Sequence, residues 1–382
     1  MATVTREAPG TFQEAAAALA AATAEGHRVR IVGAGSKLGW GNPDHDADLE
    51  LSTAGLTAIV EHNPGDLTAI LQAGVPLAVA QRTFAAAGQM LALDPPLPTI
   101  GPYPPPTVGG VFATGDCGPL RHRYGAPRDL VIGATVALSD GTIASSGGKV
   151  IKNVAGYDLA KLFSGSFGTL GLILSVSVRL HPLHETSATA MGATADPEQL
   201  ARAAVALAAL PAEFEALDIA WHAGRGGVLA RCAGPEATRR AQRAARQMEA
   251  LELAQVDVAD PDGQLWERQR AGQRSADQAL VKVAAAPSAL AQVLRAADDA
   301  GATVVGRAAL GSSFLELAPE AVADVRAALP VGAAAIVLDA PEHSELDRWG
   351  PVPAPALGLM RQVKQRFDPA GTCNPGLFVG GI

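Results

Sequence analysis

Cysteine is scarce in this chain of 382 residues, which contains only Cys117, Cys232 and Cys373. The three thiols lie far apart and form no C-x-x-C pair. Their number and spacing indicate a reducing compartment and argue against a disulfide framework. An iron–sulfur cluster normally takes four thiolates, so this chain alone is not expected to hold one.

Charged residues are also few, at 18% of the chain, against a typical share of about 25%. The net charge of −8 comes without a basic run, which argues against binding to nucleic acid or to an anionic membrane. No stretch approaches the length of a transmembrane helix, and acidic residues interrupt the alanine-rich N-terminal segment. We therefore expect neither a membrane span nor a secretory signal, and predict a cytoplasmic protein.

Glycine, by contrast, is abundant, with 41 residues concentrated in three clusters. The first cluster, Gly33–Gly41, follows a predicted strand. Its third glycine, Gly39, is misplaced for the G-x-G-x-x-G fingerprint, and the sequence after it is a poor helix start, which argues against an NAD site. Successive exposed amides here would form an anion-binding nest, to which Ser36 or Lys37 could add a donor. The alternative is a strand–turn–strand hairpin without a ligand.

The second and third clusters are equally rich in small residues. Pro106–Gly115 contains a predicted turn at Val108–Gly110, and small residues allow a backbone to approach a ligand closely. Two loops suited to anions would fit a long ligand with a pyrophosphate, such as a dinucleotide. The third cluster, Gly165–Gly171, leads into a predicted buried strand. It is either a helix cap with a tight turn or a strand entrance that lies against a planar ring.

The pattern of elements changes after His181-Pro182, where alanine-rich helices begin to alternate with short strands, as in an α+β layer. Before this boundary, Thr11–Glu14 predicts a capping box and Asp140-Gly141 predicts a hairpin. After it, the sequence predicts helices at Pro197–Leu210, Pro235–Leu253 and Leu357–Phe367, a proline-rich linker at 351–355, and strands at Phe214–Trp221, Gly227–Cys232, Ala279–Val283, Ala302–Ala309, Phe314–Leu317 and Ala333–Leu338.

Several longer strings carry a family resemblance. They are Gln89–Pro96, Thr107–Gly110, Gly118–Arg121 with Tyr124-Gly125 and Arg128-Asp129, Lys152–Leu159 (KNVAGYDL), Gly165–Gly171, Phe367–Gly371 and Asn374–Gly376. In this order and spacing they resemble the flavin-binding domain of the p-cresol methylhydroxylase / vanillyl-alcohol oxidase superfamily, and within it the E subunits of bacterial glycolate oxidases. The resemblance covers residues 1–182 and 357–382, whereas the middle matches only in length and layout.

The resemblance implies an α+β fold in which two subdomains clamp FAD and a smaller α+β cap domain covers the flavin ring. The implied domains are residues 1–182 for FAD binding, 183–350 for the cap, and 351–382 for a C-terminal segment that returns to the FAD domain. It also implies that amides of the first loop bind the pyrophosphate, that Gly118 and Asn374 approach the ring, and that the third cluster holds the adenine end. The implied cofactor-binding residues are Gly33, Ala34, Gly35, Ser36, Lys37, Leu38, Gly39, Pro106, Thr107, Val108, Gly109, Gly110, Ala113, Thr114, Gly118, Gly168, Gly171, Ile173 and Asn374.

The chain departs from its relatives at positions that matter for chemistry. The first loop lacks the His, and the second cluster the preceding Cys, through which some relatives attach FAD covalently, so we expect non-covalent FAD. The C-terminal His-Gly-Asp-Gly-Asn-type stretch of catalytic members is absent, and Phe167 stands where several relatives have Glu. No general base is evident, so the catalytic residues stay unassigned. The histidine spacing predicts no metal site.

Arg121–Tyr124 forms a basic cluster close to the expected flavin position. One of its arginines could bind a carboxylate bidentately. The alternative is a surface turn that pairs with Asp129 or Asp116. The sequence leaves both interpretations open.

Three functional hypotheses follow from the resemblance and the departures. The leading one is an FAD-binding subunit of a glycolate oxidase complex, which would work with a catalytic flavoprotein subunit and an iron–sulfur subunit on a small 2-hydroxy acid. The second is a stand-alone FAD-dependent dehydrogenase for a hydroxy acid or an alcohol, with a base such as His222 from the cap. The third is a scaffold that no longer uses its flavin clamp.

Overall fold

The computed structural model describes residues 4–43, 46–96, 104–149 and 157–382. Most of the KNVAGYDL string and the central part of the proline-rich segment between residues 94 and 106 lie outside these ranges. The described residues form twelve α-helices, which are α1 Phe12–Ala24, α2 Leu77–Ala85, α3 Val108–Thr114, α4 Arg121–Tyr124, α5 Pro127–Leu130, α6 Ala160–Phe163, α7 Pro197–Ala208, α8 Ala237–Ala250, α9 Gly263–Ala271, α10 Leu290–Asp299, α11 Val322–Ala328 and α12 Ala354–Phe367.

The strands of the described ranges form four sheets. They are β1 Thr5–Glu7, β2 Val29–Val32, β3 Leu49–Ser52, β4 Ile59–Asn63, β5 Thr68–Gln72, β6 Gln89–Met90, β7 Val131–Ala137, β8 Ile143–Gly147, β9 Leu172–Arg179, β10 His181–Pro182, β11 Ser187–Thr194, β12 Ala216–His222, β13 Arg225–Ala233, β14 Ala254–Ala259, β15 Ala279–Ala284, β16 Thr303–Arg307, β17 Ser312–Leu317 and β18 Ala334–Asp339.

Two small layers make up the first part of the chain. Strands β1, β3 and β2 form a three-stranded parallel sheet, and β4, β5, β9, β7 and β8 form a five-stranded antiparallel sheet in that order. Helix α1 begins with the predicted capping box, in which the Thr11 hydroxyl accepts from the Glu14 amide and the Glu14 carboxylate accepts from the Thr11 amide. Its alanines pack with Leu49, Leu51 and Leu172, so the helix joins the two sheets through one apolar core.

An eight-stranded sheet occupies the chain from Ser187 to Asp339. Its strand order is β14, β11, β13, β12, β16, β17, β15 and β18, and every neighbouring pair is antiparallel. Helices α7, α8, α10 and α11 bury their apolar sides on one face of this sheet. On the other face, Leu280, Phe314 and Leu338 pack against Trp40 from the first part of the chain. The face of the sheet opposite these four helices therefore meets the first glycine cluster.

Two local predictions were wrong. The predicted turn at Val108–Gly110 is the first turn of α3, because the Thr107 hydroxyl accepts from the Gly110 amide as an N-cap and Gly115, at φ 65°, ends the helix. The predicted linker at 351–355 overlaps α12, which begins at Ala354 directly after Pro353. Proline is tolerated before the first helical turn, where no amide donor is needed.

The C-terminal segment packs against the first part of the chain. The Lys364 ammonium, on α12, donates to the Thr169 carbonyl, to the Asp368 carboxylate and to the Cys373 carbonyl at 2.7–2.8 Å. The Val29 amide donates to the Thr372 carbonyl, and the Asn374 amide donates to the Val29 carbonyl. Within the described ranges, no helix combines the length and the hydropathy that crossing a bilayer requires.

Candidate functional site

An open cleft lies where the three glycine clusters meet. One wall is the loop after β2, a second is the start of α3, and the third is the turn before β9, with Asn374 and Leu377 of the C-terminal segment closing one end. Because β2 and β3 pair in parallel, the loop between them is not the strand–turn–strand hairpin that the sequence left open as an alternative.

The first loop presents unpaired amides to this cleft. In the described part of the chain, no oxygen accepts from the backbone amides of Ala34, Gly35, Ser36 or Lys37, whereas the next amide, of Leu38, turns back to the Gly35 carbonyl. Gly35 has a φ of 82°, which favours glycine and reverses the chain inside the loop. Successive free amides around such a reversal form a concave site for an anion.

The second cluster makes a different contribution from the one expected for an anion loop. The amides of Val108 and Gly109 donate to the carbonyls of Val75 and Ala73, and that of Gly110 donates to the Thr107 hydroxyl. The first helical amides of α3 are therefore already paired and offer a phosphate no free N–H group. A Cβ on Gly109 would lie 2.6 Å from the Ala73 Cβ, so the glycine is needed for this close packing.

The first and second clusters touch directly. A Cβ on Gly33 would lie 2.4 Å from the Thr107 Oγ1, which already accepts from the Gly110 amide. Lys37 and Asp116 form an ion pair of 3.1 Å between the same two clusters, and both side chains are buried. The Lys37 ammonium is thus already paired with a carboxylate. The backbone amides of the loop are therefore the donors that remain free to bind an anion.

The third cluster is fixed by Asn374. The side-chain amide nitrogen of Asn374 donates to the Phe167 carbonyl at 2.7 Å, and its oxygen accepts from the Ile31 amide at 2.8 Å. A Cβ on Gly168 would lie 2.7 Å from the same Asn374 nitrogen. Asn374 therefore joins β2, the turn before β9 and the C-terminal segment at one end of the cleft.

Most residues predicted to bind the cofactor line this cleft. Gly39, Pro106, Val108 and Gly118 are not among its lining residues, whereas Arg30, Trp40, Thr53, Phe167 and Leu377 line it without having been predicted. No carboxylate or imidazole from the described ranges lines it. The predicted residues on its walls are Gly33, Ala34, Gly35, Ser36, Lys37, Leu38, Thr107, Gly109, Gly110, Ala113, Thr114, Gly168, Gly171, Ile173 and Asn374.

The basic cluster Arg121–Tyr124 faces the eight-stranded sheet. Arg123 donates to the Glu213 carbonyl and pairs with its carboxylate, and the Tyr124 hydroxyl donates to the Glu215 carboxylate. Neither pairs with Asp129 or Asp116. The Arg121 guanidinium contacts the Cys117 thiol at 3.7 Å. His222 lies at the exposed end of β12, where its Nδ1 is hydrogen-bonded to Thr303, and it does not line the cleft.

Sequence reasoning missed two carboxyls where the first part of the chain meets the eight-stranded sheet. Asp94 accepts from the Leu120 amide and lies 3.8 Å from the Arg270 guanidinium, and Asp218 pairs with Arg307 at 2.8 Å. Burial raises the pKa of Asp94 to about 7 and that of Asp218 to about 6. The Arg307 Nε also donates to the Gly118 carbonyl. Only Asp94, inside the Gln89–Pro96 string, had a signal in the sequence.

The raised pKa of Asp94 predicts that the protein loses stability as the pH rises. A carboxyl whose pKa is higher in the folded than in the unfolded state contributes stability at low pH, and this contribution is lost between about pH 4 and 7. Asp94→Asn removes the titration. From pH 5 to pH 8 the unaltered chain should lose about 2 kcal/mol more of its unfolding free energy than this variant. Urea unfolding at each pH measures the difference. The exposed Asp324→Asn should behave like the unaltered chain, and equal pH dependence in Asp94→Asn would contradict the assignment.

Comparisons with known proteins agree with this architecture. Residues 7–147 match the family described as FAD binding domain. Over 197 residues the chain is 36% identical to glycolate oxidase subunit GlcD of Bacillus subtilis. This alignment covers 50% of this chain and 41% of the relative. Over 152 residues the chain is 36% identical to glycolate oxidase subunit GlcE of Escherichia coli, covering 40% and 42%. D-lactate dehydrogenase of Archaeoglobus fulgidus is 36% identical over 174 residues, covering 46% and 38%.

These alignments span about two fifths of the relatives' length. Among solved structures, alkyldihydroxyacetonephosphate synthase matches with a TM-score of 0.69 at 12% identity, covering 97% of this chain and 76% of that one. This likeness extends through the eight-stranded sheet and shows the fold. Residues 7–147 therefore resemble an FAD binding domain, and the chain as a whole has the fold of that solved structure.

Proposed function

We propose that the cleft binds FAD non-covalently, with its pyrophosphate on the amides of Ala34–Lys37. The free amides of this loop carry the proposal, because they are the unpaired donors that a pyrophosphate requires. The residues fit such a ligand in shape as well. Gly33 and Gly168 stand where a Cβ would collide with Thr107 and with Asn374, so the absence of a side chain keeps the cleft open. Gly171 and Ile173 at the entrance of β9 would line the adenine end.

We propose further that the chain is the FAD-binding subunit of a glycolate oxidase or dehydrogenase complex in the cytoplasm. Bound FAD would supply an acceptor for the two electrons and two protons that leave the CH–OH group of a 2-hydroxy acid, here glycolate, as it becomes glyoxylate. Relatives include subunits named for glycolate oxidase and a D-lactate dehydrogenase, which supports a 2-hydroxy acid as the substrate class. This chain's residues would hold the cofactor, orient it and shield it from water.

The composition of the site supports a role within a complex. A general base must lie within hydrogen-bond reach of the hydroxyl proton. None of the described residues lining the cleft is an acid or a histidine. The three cysteines are buried and too few for an iron–sulfur cluster. A catalytic flavoprotein subunit and an iron–sulfur subunit would supply the base and the path for electrons.

Anaerobic addition of glycolate to the FAD-loaded chain tests this proposal. We expect the flavin absorbance near 450 nm (approximate, as for flavins in general) to stay unchanged with the chain alone, and to bleach when the partner subunits are added. Bleaching by the chain alone would contradict the accessory role. An unchanged spectrum in the complete complex would contradict the glycolate assignment.

A stand-alone FAD-dependent dehydrogenase is the second candidate, and Asp94 is the observation that favours it. Its carboxyl, with a pKa raised to about 7, adjoins Gly118, which the family resemblance puts near the flavin ring although neither residue lines the cleft. A partly buried carboxylate that titrates near neutral pH suits a general base. If the chain alone bleaches with a hydroxy acid, Asp94→Asn should slow bleaching at least 100-fold at unchanged FAD content. Equal rates would exclude Asp94 as the base.

A further inference from the structure

Asp339, at the end of β18, is a buried hub between the eight-stranded sheet and the first glycine loop. Its carboxylate accepts from the Trp40 indole nitrogen at 2.9 Å, from the Arg274 guanidinium at 2.9 and 3.3 Å, and from the Ser275 amide at 3.1 Å. Asp339 is 7% exposed and Trp40 is 4% exposed. Hydrogen bonds to a charged acceptor are shorter and stronger than those between neutral groups, and burial strengthens them further.

The hub contacts the loop within the segment that presents the free amides and again just after it. The Arg274 guanidinium donates to the Ser36 carbonyl at 3.2 Å, inside the segment that presents the amides, and also lies 5.7 Å from the centre of the Trp40 ring. Trp40 follows the segment and is anchored by Asp339. The Ser36 carbonyl and the Lys37 amide belong to one planar trans peptide unit and point in opposite directions, so a donor on the carbonyl helps to set the direction of that N–H group.

We propose that Asp339 is a positioning residue for FAD, because it holds Arg274 and Trp40 where they keep the Ala34–Lys37 amides pointing into the cleft. The inference rests on the proposed FAD site. Asp339 does not line the cleft and would touch no atom of the cofactor. Its effect passes through the loop, so FAD binding and docking of the eight-stranded sheet onto the first part of the chain are thermodynamically coupled.

The coupling has a reciprocal consequence. If docking of the sheet orders the amides for FAD, then FAD must stabilise the docked arrangement by the same factor. FAD should therefore slow hydrogen exchange at the Ser275 amide, which donates to Asp339 and is not among the residues lining the cleft. A purely local cofactor site would protect the loop and leave Ser275 unchanged.

The test compares FAD dissociation constants. FAD is titrated with the folded, cofactor-free chain, and quenching of the FAD fluorescence reports binding. Asp339→Asn should weaken FAD binding about tenfold, within the range of measured couplings, since the neutral amide loses the ion pair with Arg274 and one of the two acceptor oxygens. Trp40→Phe keeps a ring but loses the donor to Asp339, and it should weaken binding in the same direction.

The matched control is Asp298→Asn. Asp298 accepts from the Trp221 indole nitrogen and the Gly224 amide, so it is also an aspartate bound to an indole and a backbone amide, but away from the cleft. It should lower the thermal midpoint and leave the FAD dissociation constant within about twofold. Unchanged FAD affinity in both Asp339→Asn and Trp40→Phe, with the unaltered chain binding FAD, would overturn this inference alone. Failure of the unaltered chain to bind FAD would overturn the proposed cofactor site as well.

Discussion

Replacing Gly33 by alanine is expected to weaken FAD binding at least tenfold, a loss of about 1.4 kcal/mol. The new Cβ would lie 2.4 Å from the Thr107 Oγ1, so the two clusters that face each other across the cleft must move apart or Thr107 must give up the Gly110 amide. Either response alters the spacing between the free amides and the wall formed by α3. FAD fluorescence quenching measures the change.

Two variants decide whether this collision is the cause. Gly39→Ala changes the same loop at a position where a Cβ meets nothing within 4 Å, and it should leave FAD affinity within about twofold. In Gly33→Ala combined with Thr107→Ala, the nearest remaining atom is the residue 107 Cβ at 3.6 Å, an ordinary contact. The double variant should recover most of the affinity while losing about 1 kcal/mol of helix capping. Equal losses in the single and the double variant would contradict the argument.

Replacing Arg307 by methionine is expected to lower the free energy of unfolding by about 3–5 kcal/mol. The Arg307 and Asp218 side chains are 1% and 0% exposed and pair at 2.8 Å, so the variant leaves a buried carboxylate without its cation. The Nε bond to the Gly118 carbonyl, which ties the sheet to the first part of the chain, is lost as well. Urea unfolding at neutral pH measures the loss.

A second variant separates the charge from the packing. Asp218→Leu together with Arg307→Met removes both charges, and replacing a whole buried ion pair by apolar residues is often neutral or stabilising. The double variant should therefore recover most of the loss of the single one. At pH 5, where Asp218, whose pKa is raised to about 6, is largely protonated, the single variant should also lose less stability than at pH 8. Equal losses at both pH values would contradict burial of an ionised Asp218.

Local signals in the sequence predicted local structure well. The Thr11–Glu14 capping box starts α1, and Asp140-Gly141 joins β7 to β8, because such signals act over a few residues. Strand β11, with the sequence SATAMGAT, was missed. Its small residues give no alternation of apolar and polar side chains, and its partners β13 and β14 supply the order. Helix α3, which begins at Val108, was missed because its two glycines favour a turn. The hydroxyl of Thr107, the N-cap, stabilises the helix instead by accepting from the Gly110 amide.

The candidate site was predictable where its chemistry lies in the backbone. Glycine clusters mark close approach and free amides, so the sequence located the loop at Ala34–Lys37, the wall of α3 and the turn at Gly168. Its long-range pairs were not predictable. The Asp339 carboxylate accepts a hydrogen bond from the indole of Trp40, which is 299 positions away in the sequence. A single aspartate at the end of a strand gives no indication of such a partner. Lys37 was expected to serve an anion, but only the fold reveals that Asp116 neutralises it.

The central claim is that the chain binds FAD without a covalent bond, and acid precipitation tests it most directly. The purified chain is incubated with FAD, freed of unbound cofactor and then precipitated with acid. The account predicts a yellow protein that releases one FAD per chain into the supernatant and leaves a colourless pellet. Such a result would mean that the chain binds one dinucleotide and holds it without a covalent bond. A protein that stays colourless, or a flavin that precipitates with the chain, would contradict it.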